Sequence, residues 1–320
     1  MQTIRVSQVD AFTTEPLAGN PAGVVPEADG LTDGQLQSIA REMAVSETAF
    51  LFESDDADRR VRYFTPSQEV DLCGHATIAS FVKLVDGGVL DVGESTLETN
   101  VGVLDVAVES DGTVWMTQDA PSIRAVDVSY DRVGEALGLD RAVFEGVGAD
   151  LPPAVASTGL PFLVVPVAYL SDLGDVQPDL AAIESLTEAV GATGLYVFSF
   201  DALDAASTLH GRMFAPGAGV PEDPVTGTAS GAVGAYLRRF DAFGTDGALT
   251  AVGSEAGTVA TEPAETAPLE MVFEQGHYVD RPGRVRVRLD DEVRVGGRGV
   301  VTLDGSMVVP EAETDEIVEA

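Results

Sequence analysis

The sequence predicts an α+β protein of two pseudo-symmetric lobes, each a barrel-like, mostly antiparallel sheet wrapped around a central helix. Three observations predict it. The first is an internal repeat: Arg62-Tyr-Phe-Thr-Pro66 returns as Arg212-Met-Phe-Ala-Pro216, and Asp71-Leu-Cys-Gly74-His75-Ala76 returns as Asp223-Pro-Val-Thr-Gly227-Thr228-Ala229. Upstream, Gly19-Asn-Pro-Ala-Gly-Val-Val25 is echoed more weakly by Gly159-Leu-Pro-Phe-Leu-Val-Val165. The second is a pair of amphipathic helical segments, 32–43 and 178–190, each running into an apolar strand, 48–52 and 195–200. Matches in one order at one approximate offset mark a duplicated unit rather than chance. The third is the pair of segments that follow Gly74 and Gly227. Both have helical length, and both are apolar or small on nearly every face.

A surface helix shows a polar stripe, and a helix without one is enclosed. The small residues after Gly227 would let strands pack close around that helix. Two ordinary helices on the faces of a sandwich are the alternative arrangement. The boundaries read as lobe one, 1–120, and lobe two, 121–309, whose last strands are free to return to lobe one. An acidic, apolar-poor tail, 310–320, is expected to be solvated. A chain of 320 residues exceeds what one hydrophobic core commonly serves, which also favours two lobes.

The helix starts are the first candidate for a site. The first N–H groups of a helix have no internal partner and lie at the positive end of its dipole. Glycine at the entry admits a ligand close to the backbone. Two such ends, at Gly74 and at Gly227-Thr228, facing one another across a cleft would hold a small carboxylate without arginine or metal.

Glu47, in Ser46-Glu47-Thr48 between the first amphipathic helix and its strand, is the candidate proton carrier. A carboxylate there would be partly desolvated, a condition useful for proton transfer. Alone it reads equally as an exposed strand-entry glutamate, but the repeat places Thr193-Gly194-Leu195 at the equivalent point, with no titratable group. One lobe would thus supply a lone acid. His75, where lobe two has Thr228, could bond a substrate hydroxyl or amino group from the helix mouth. Asp223, before Pro224, is a further candidate and reads equally as a turn or cap residue. His210 and His277 have no supporting context and read as structural or surface residues.

Cys73 is the single cysteine. One thiol forms no internal disulfide, thiolate zinc site or two-cysteine catalytic pair. Cys73 sits at a helix start, which favours thiolate, yet its counterpart is Thr226, a poor base. A two-thiol racemase is therefore excluded, and Cys73 reads as a buried, inert residue. No phosphate-binding loop, dinucleotide fingerprint, zinc helix or Gly-x-Ser-x-Gly elbow occurs in a convincing context. The expectation is no cofactor and no metal.

Charge narrows the function classes. The chain has 53 acidic against 18 basic side chains, a net charge of −35. This argues against nucleic-acid and anionic-membrane partners, which need clustered Lys and Arg. Lys83 is the only lysine. An acidic chain almost free of lysine suits a very salty cytoplasm, because molar salt shortens the screening length to about 3 Å and removes most self-repulsion. A metabolite- or metal-binding acidic surface is disfavoured, since the acids are spread rather than clustered. Apolar residues at 45% exclude disorder. The longest apolar run, 161–170, is about half a membrane span. The opening Met1-Gln-Thr-Ile-Arg-Val lacks a secretory pattern, so a cytoplasmic location is expected.

These residues also carry a family resemblance. The chain resembles the phenazine-biosynthesis PhzF-like isomerases, which have the diaminopimelate epimerase fold. The motifs are Val9-Asp-Ala-Phe12 with Gly19-Asn-Pro21, Ser46-Glu-Thr-Ala-Phe50, Phe64-Thr-Pro66 and Glu69-Val-Asp-Leu-Cys-Gly-His-Ala-Thr77, and Glu222-Asp-Pro-Val-Thr-Gly-Thr-Ala229. Gln275-Gly276, Arg281-Pro282 and Val295-Gly-Gly297 complete the series. The resemblance implies a cofactor-free isomerase, a homodimer like the phenazine enzyme, and a ligand in the interlobe cleft. It puts the family's catalytic glutamate on Glu47 and its substrate-contacting histidine and aspartate on His75 and Asp223. Substrate binding falls to Asn20, Gly74, Gly227 and Thr228. Thr228 stands where serine is common, and Ala229-Ser230-Gly231 where relatives often carry histidine and cysteine, so the ligand preference need not follow the family. The expected partner is a small carboxylate substrate; a racemase or epimerase, or a non-catalytic metabolite-binding relative, is the alternative on the same scaffold.

Overall fold

A computed structural model describes residues 2–147, 150–244 and 270–311. Most of the acidic tail read from the sequence, from residue 312 onward, lies outside the described residues. The chain divides into two units, Met1–Met116 with Gly297–Ala320, and Thr117–Gly296. Among the described residues no helix is long and apolar enough to cross a membrane.

The first unit contains β1 (Gln2–Ala11), β2 (Asn20–Val25), β3 (Glu47–Phe52), β4 (Arg59–Phe64), β5 (Glu69–Val70), β6 (Gly93–Thr99), β7 (Gly102–Val108) and β8 (Val114–Thr117). Two helices, α1 (Asp33–Met43) and α2 (Gly74–Asp86), belong to it. The second unit contains β9 (Ser122–Ala125), β10 (Ala154–Ser157), β11 (Pro161–Pro166), β12 (Gly194–Ser199), β13 (Leu209–Ala215), β14 (Val220–Asp223), β15 (Glu270–Gln275), β16 (Gly283–Leu289) and β17 (Val293–Gly297). Its helices are α3 (Tyr130–Leu137), α4 (Ala142–Glu145), α5 (Leu170–Gly174), α6 (Leu180–Val190) and α7 (Gly227–Arg239). A last strand, β18 (Gly299–Val309), closes the first unit against β1.

The repeat in the sequence is a repeat in the pairing. In the first unit β1 is antiparallel to β18 and β2, β2 is parallel to β3, and β3 is antiparallel to β4. There β4 runs parallel to β6, and β6 antiparallel to β7. In the second unit β10 is antiparallel to β9 and β11, β11 is parallel to β12, and β12 is antiparallel to β13. Likewise β13 runs parallel to β15, and β15 antiparallel to β16. Side chains repeat too. Arg62 grips Glu69 through two bonds of 2.8 and 2.7 Å and lies 5.2 Å over the Phe64 ring. Arg212 grips Glu222 through bonds of 2.9 and 2.8 Å and lies 5.1 Å over the Phe214 ring. The planar guanidinium suits both the bidentate carboxylate and the ring face.

Each amphipathic helix covers one side of its sheet. Helix α1 starts at a capping box, with Thr32 Oγ1 accepting from Gln35 N and Gln35 Oε1 accepting from Thr32 N at 2.9 Å. It buries Leu36 and Ile39 against Phe50, Phe64 and Val25. Helix α6 starts at Asp179, which accepts from Ala181 N and Ala182 N. Its Ile183 and Leu186 pack with Leu163, Val197 and Phe214.

The other two helices are enclosed. Ala76 to Phe81 of α2 are all buried, and the helix packs on β1, β2, β3 and β18. Ala229 to Leu237 of α7 are all buried, and it packs on β9, β10, β11 and β16. Glycine is required at this range: a Cβ on Gly234 would lie 2.8 Å from Val287 Cγ1, and one on Gly231 would lie 3.0 Å from Val295 Cγ1. Gly234→Leu is therefore expected to lower stability by about 1–3 kcal/mol through overpacking, against a helix-propensity gain of about 1 kcal/mol. Denaturant unfolding in molar salt checks this, and a net stabilisation would contradict the close strand–helix packing.

Candidate active site

Helix α1 ends at Ala44 in the left-handed conformation, φ 53°, and the chain turns from there into β3. Glu47 is the first residue of β3, in parallel register with Ala22 of β2. Asn20 begins β2 at the same end of this strand pair and is buried at 1% exposure. Helix α2 brings the rest. Its N-cap, Cys73, makes no side-chain cap bond, so the amides of Gly74, His75 and Ala76 have no intrahelical acceptor.

His75 is the hub of the cluster. Its Nε2 lies 3.3 Å from Glu47 Oε2, with the histidine and glutamate side chains 11% and 20% exposed. Ser46 Oγ lies 3.3 Å from the same nitrogen. Cys73 Sγ lies 3.5 Å from Nδ1 and 4.0 Å from Nε2 of the same ring. A carboxylate held at 20% exposure beside an imidazole keeps an outlet to a ligand while losing most of its water. Four sequence-derived residues thus fall in the first unit, and two of them, Glu47 and His75, are in direct contact.

The second unit presents its own helix start. Thr226 is the N-cap of α7 and again makes no cap bond. Asp223 ends β14 and its Oδ2 accepts from the Thr226 hydroxyl. Gln275 locks this corner: its Nε2 donates to Asp223 O at 2.7 Å and to Thr226 Oγ1 at 3.1 Å, while its Oε1 accepts from Thr226 N at 3.3 Å. Thr228 is held through its carbonyl, which accepts from Thr158 Oγ1 at 3.1 Å. Gly227 is buried at the helix entry. Ser46 and Gln275 carry no signal of their own in a single sequence, although both fall inside or beside the quoted motifs.

His210, read as structural or surface, is fully buried on β13. Its Nδ1 lies 3.2 Å from Glu274 Oε2, and its ring is 4.8 Å from that of His277. Burial alone would raise the Glu274 carboxyl. Bonds from His210, the Leu203 and Asp204 amides and the Ser207 hydroxyl outweigh it and hold the group at about 2. The same position in the first unit is filled by Glu98, whose Oε2 accepts from Ser54 at 2.6 Å and which lies 3.5 Å from Arg60. The pair of glutamates is therefore a loop staple repeated in each unit, separate from the Glu47 cluster.

The chain is thus a two-unit α+β protein with an enclosed helix in each unit and a carboxylate–imidazole pair at one helix start. The family model for phenazine biosynthesis-like proteins, PhzC-PhzF, matches residues 9–305. An uncharacterized isomerase of Escherichia coli K12 is 38% identical over 79% of this chain and 85% of its own. The crystal structure of a PhzF-family phenazine biosynthesis protein of Bacillus anthracis superimposes with a TM-score of 0.81 at 32% identity, covering 96% of this chain and all of that one. A predicted epimerase of Pseudomonas aeruginosa gives a TM-score of 0.71 at 26% identity over 95% of this chain and 99% of its own. The chain belongs to the phenazine biosynthesis-like family, and it is an isomerase.

Proposed function

We propose that the protein is a cofactor-independent isomerase that moves a proton between two carbons of a small carboxylate substrate, with Glu47 as the carrier. The Glu47–His75 contact of 3.3 Å at an uncapped helix start is the observation that supports this reading. The Glu47 carboxylate takes a proton from an activated carbon, and the electron pair moves into the neighbouring π system. Glu47 then returns the proton to a second carbon of that system. Substrate and product have the same composition and oxidation level, so the step needs no electron acceptor.

His75 bonds a substrate hydroxyl or amino group. The backbone amides at the start of α2, from Gly74 on, draw the substrate carboxylate, and Asn20 completes the binding set. A racemase would want a base on each face of one carbon. The repeat puts Thr226, a poor base, at the counterpart of Cys73, which favours isomerisation over inversion.

Screening small unsaturated carboxylates for thermal stabilisation in molar salt identifies ligands, and each hit is then followed by proton NMR. Conversion to a positional isomer is expected. Stabilisation by ligands that are never converted would assign the chain to metabolite binding instead, and inversion without isomerisation would make it an epimerase.

A further inference from the structure

We infer that Glu47, Cys73 and His75 form a three-ligand site for a Zn²⁺-class cation. The sequence hides this set: two ligands stand at a helix start and the third opens a strand far away in the chain. Folding puts one ligand atom of each within 4.8 Å of the others. The Glu47 Oε2 to His75 Nε2 separation is 3.3 Å, and Cys73 Sγ to His75 Nε2 is 4.0 Å. Zinc binds nitrogen and oxygen at about 2.0–2.2 Å and sulfur at about 2.3 Å in tetrahedral sites, which puts neighbouring ligand atoms roughly 3.3–3.6 Å apart. The Glu47–His75 edge already fits, the Cys73–His75 edge needs a shift of roughly half an ångström, and the Glu47–Cys73 edge, within 4.8 Å, has up to about 1.2 Å to close.

The chemistry of the donors selects the ion. A thiolate with an imidazole and a carboxylate suits zinc or cobalt and is foreign to magnesium and calcium, which take oxygen ligands. Three protein ligands leave a fourth position for water, the pattern of an open site. The acid excess does not explain the cluster. Despite 53 acidic side chains, among the described residues no other three His, Cys, Asp or Glu ligands gather closely enough to share an ion. The second unit has Thr226, Thr228 and Gly194 at the equivalent places, so it repeats none of the three ligands.

The consequence for turnover rests on the isomerase reading. An ion here occupies the Glu47 carboxylate and His75 Nε2, the groups assigned to proton transfer and substrate binding. Zinc therefore inhibits, and a chelator restores activity.

The test is titration of the reduced, intact chain with Co²⁺ in about 1 M salt, where surface carboxylates are screened to about 3 Å. One equivalent is expected to give a thiolate-to-cobalt charge-transfer band that Zn²⁺ removes by displacement. Cys73→Ser should abolish the band. His75→Ala should weaken binding by at least the roughly 10–100-fold that even an outer-shell partner of a metal site is worth. Should either variant fold poorly, alkylation of wild-type Cys73 by iodoacetamide supplies the second measurement, with protection by Zn²⁺ expected. Cobalt bound without the thiolate band, or Cys73 alkylated at the same rate with and without Zn²⁺, overturns the site. A metal-free chain that isomerises nothing defeats the isomerase reading and leaves the cobalt result standing. Turnover unchanged in the zinc-loaded chain overturns the inhibition.

Discussion

Glu47→Gln is expected to keep ligand binding and lose turnover by about 10²–10⁴-fold, the usual contribution of a positioned acid–base group. The substitution keeps the shape and removes only the ability to take and return a proton. Glu47 is the first residue of its strand and 20% exposed, so the fold should not suffer. Ligand-induced stabilisation should survive, because the amides at the start of α2 are backbone groups. His75→Ala should act differently. It removes the contact to Glu47 at 3.3 Å and the group that orients the substrate, so KM rises together with the fall in kcat. Equal losses of kcat without a change in KM for both variants would mean that His75 binds nothing in the ground state.

Glu274→Gln is expected to be the most destabilising single change away from the site, costing at least about 3 kcal/mol, because each buried donor left unmatched costs ~1–3 kcal/mol. The carboxylate, 1% exposed, accepts from His210 Nδ1 at 3.2 Å, from the Leu203 and Asp204 amides at 2.9 Å and from Ser207 at 2.9 Å. The sign of the pH effect follows. A carboxyl lowered from 4.5 to about 2 in the folded chain adds stability that is complete above the unfolded value and lost as pH falls from there toward 2. The gap between wild type and Glu274→Gln should therefore be constant above about pH 5 and shrink below it. Comparing the two chains removes the shared effect of protonating the other acids. A gap that widens in acid would contradict the bonding seen around Glu274.

The repeat was the most legible part of the sequence because it acts twice. Arg62 and Arg212 stand in matched motifs, and the fold gives each a bidentate glutamate and a phenylalanine ring. The enclosed helices were legible for a physical reason: a segment such as Thr228 to Leu237 with no polar stripe has no face to give to water. Glu47 stood out because its counterpart in the repeat, near Thr193, has no acid.

What a single sequence could not show was convergence across long separations. The Arg–Glu clamps join β4 to β5 and β13 to β14, and nothing in local periodicity names the partner. Glu274 reaches His210 only because β13 and β15 lie parallel. Cys73, read as inert, lies 3.5 Å from His75 Nδ1, a contact that the sequence does not name. Gln275 is similar: its three bonds to Asp223 and Thr226 exist only once β15 reaches the start of α7.

Deuterium tracing tests proton transport by Glu47 most directly. Substrate incubated in D₂O with wild type should yield product labelled at the carbon that receives the proton. With Glu47→Gln, bound ligand should remain unlabelled. Equal labelling by both chains would mean that another group moves the proton, and the role assigned to Glu47 would be wrong.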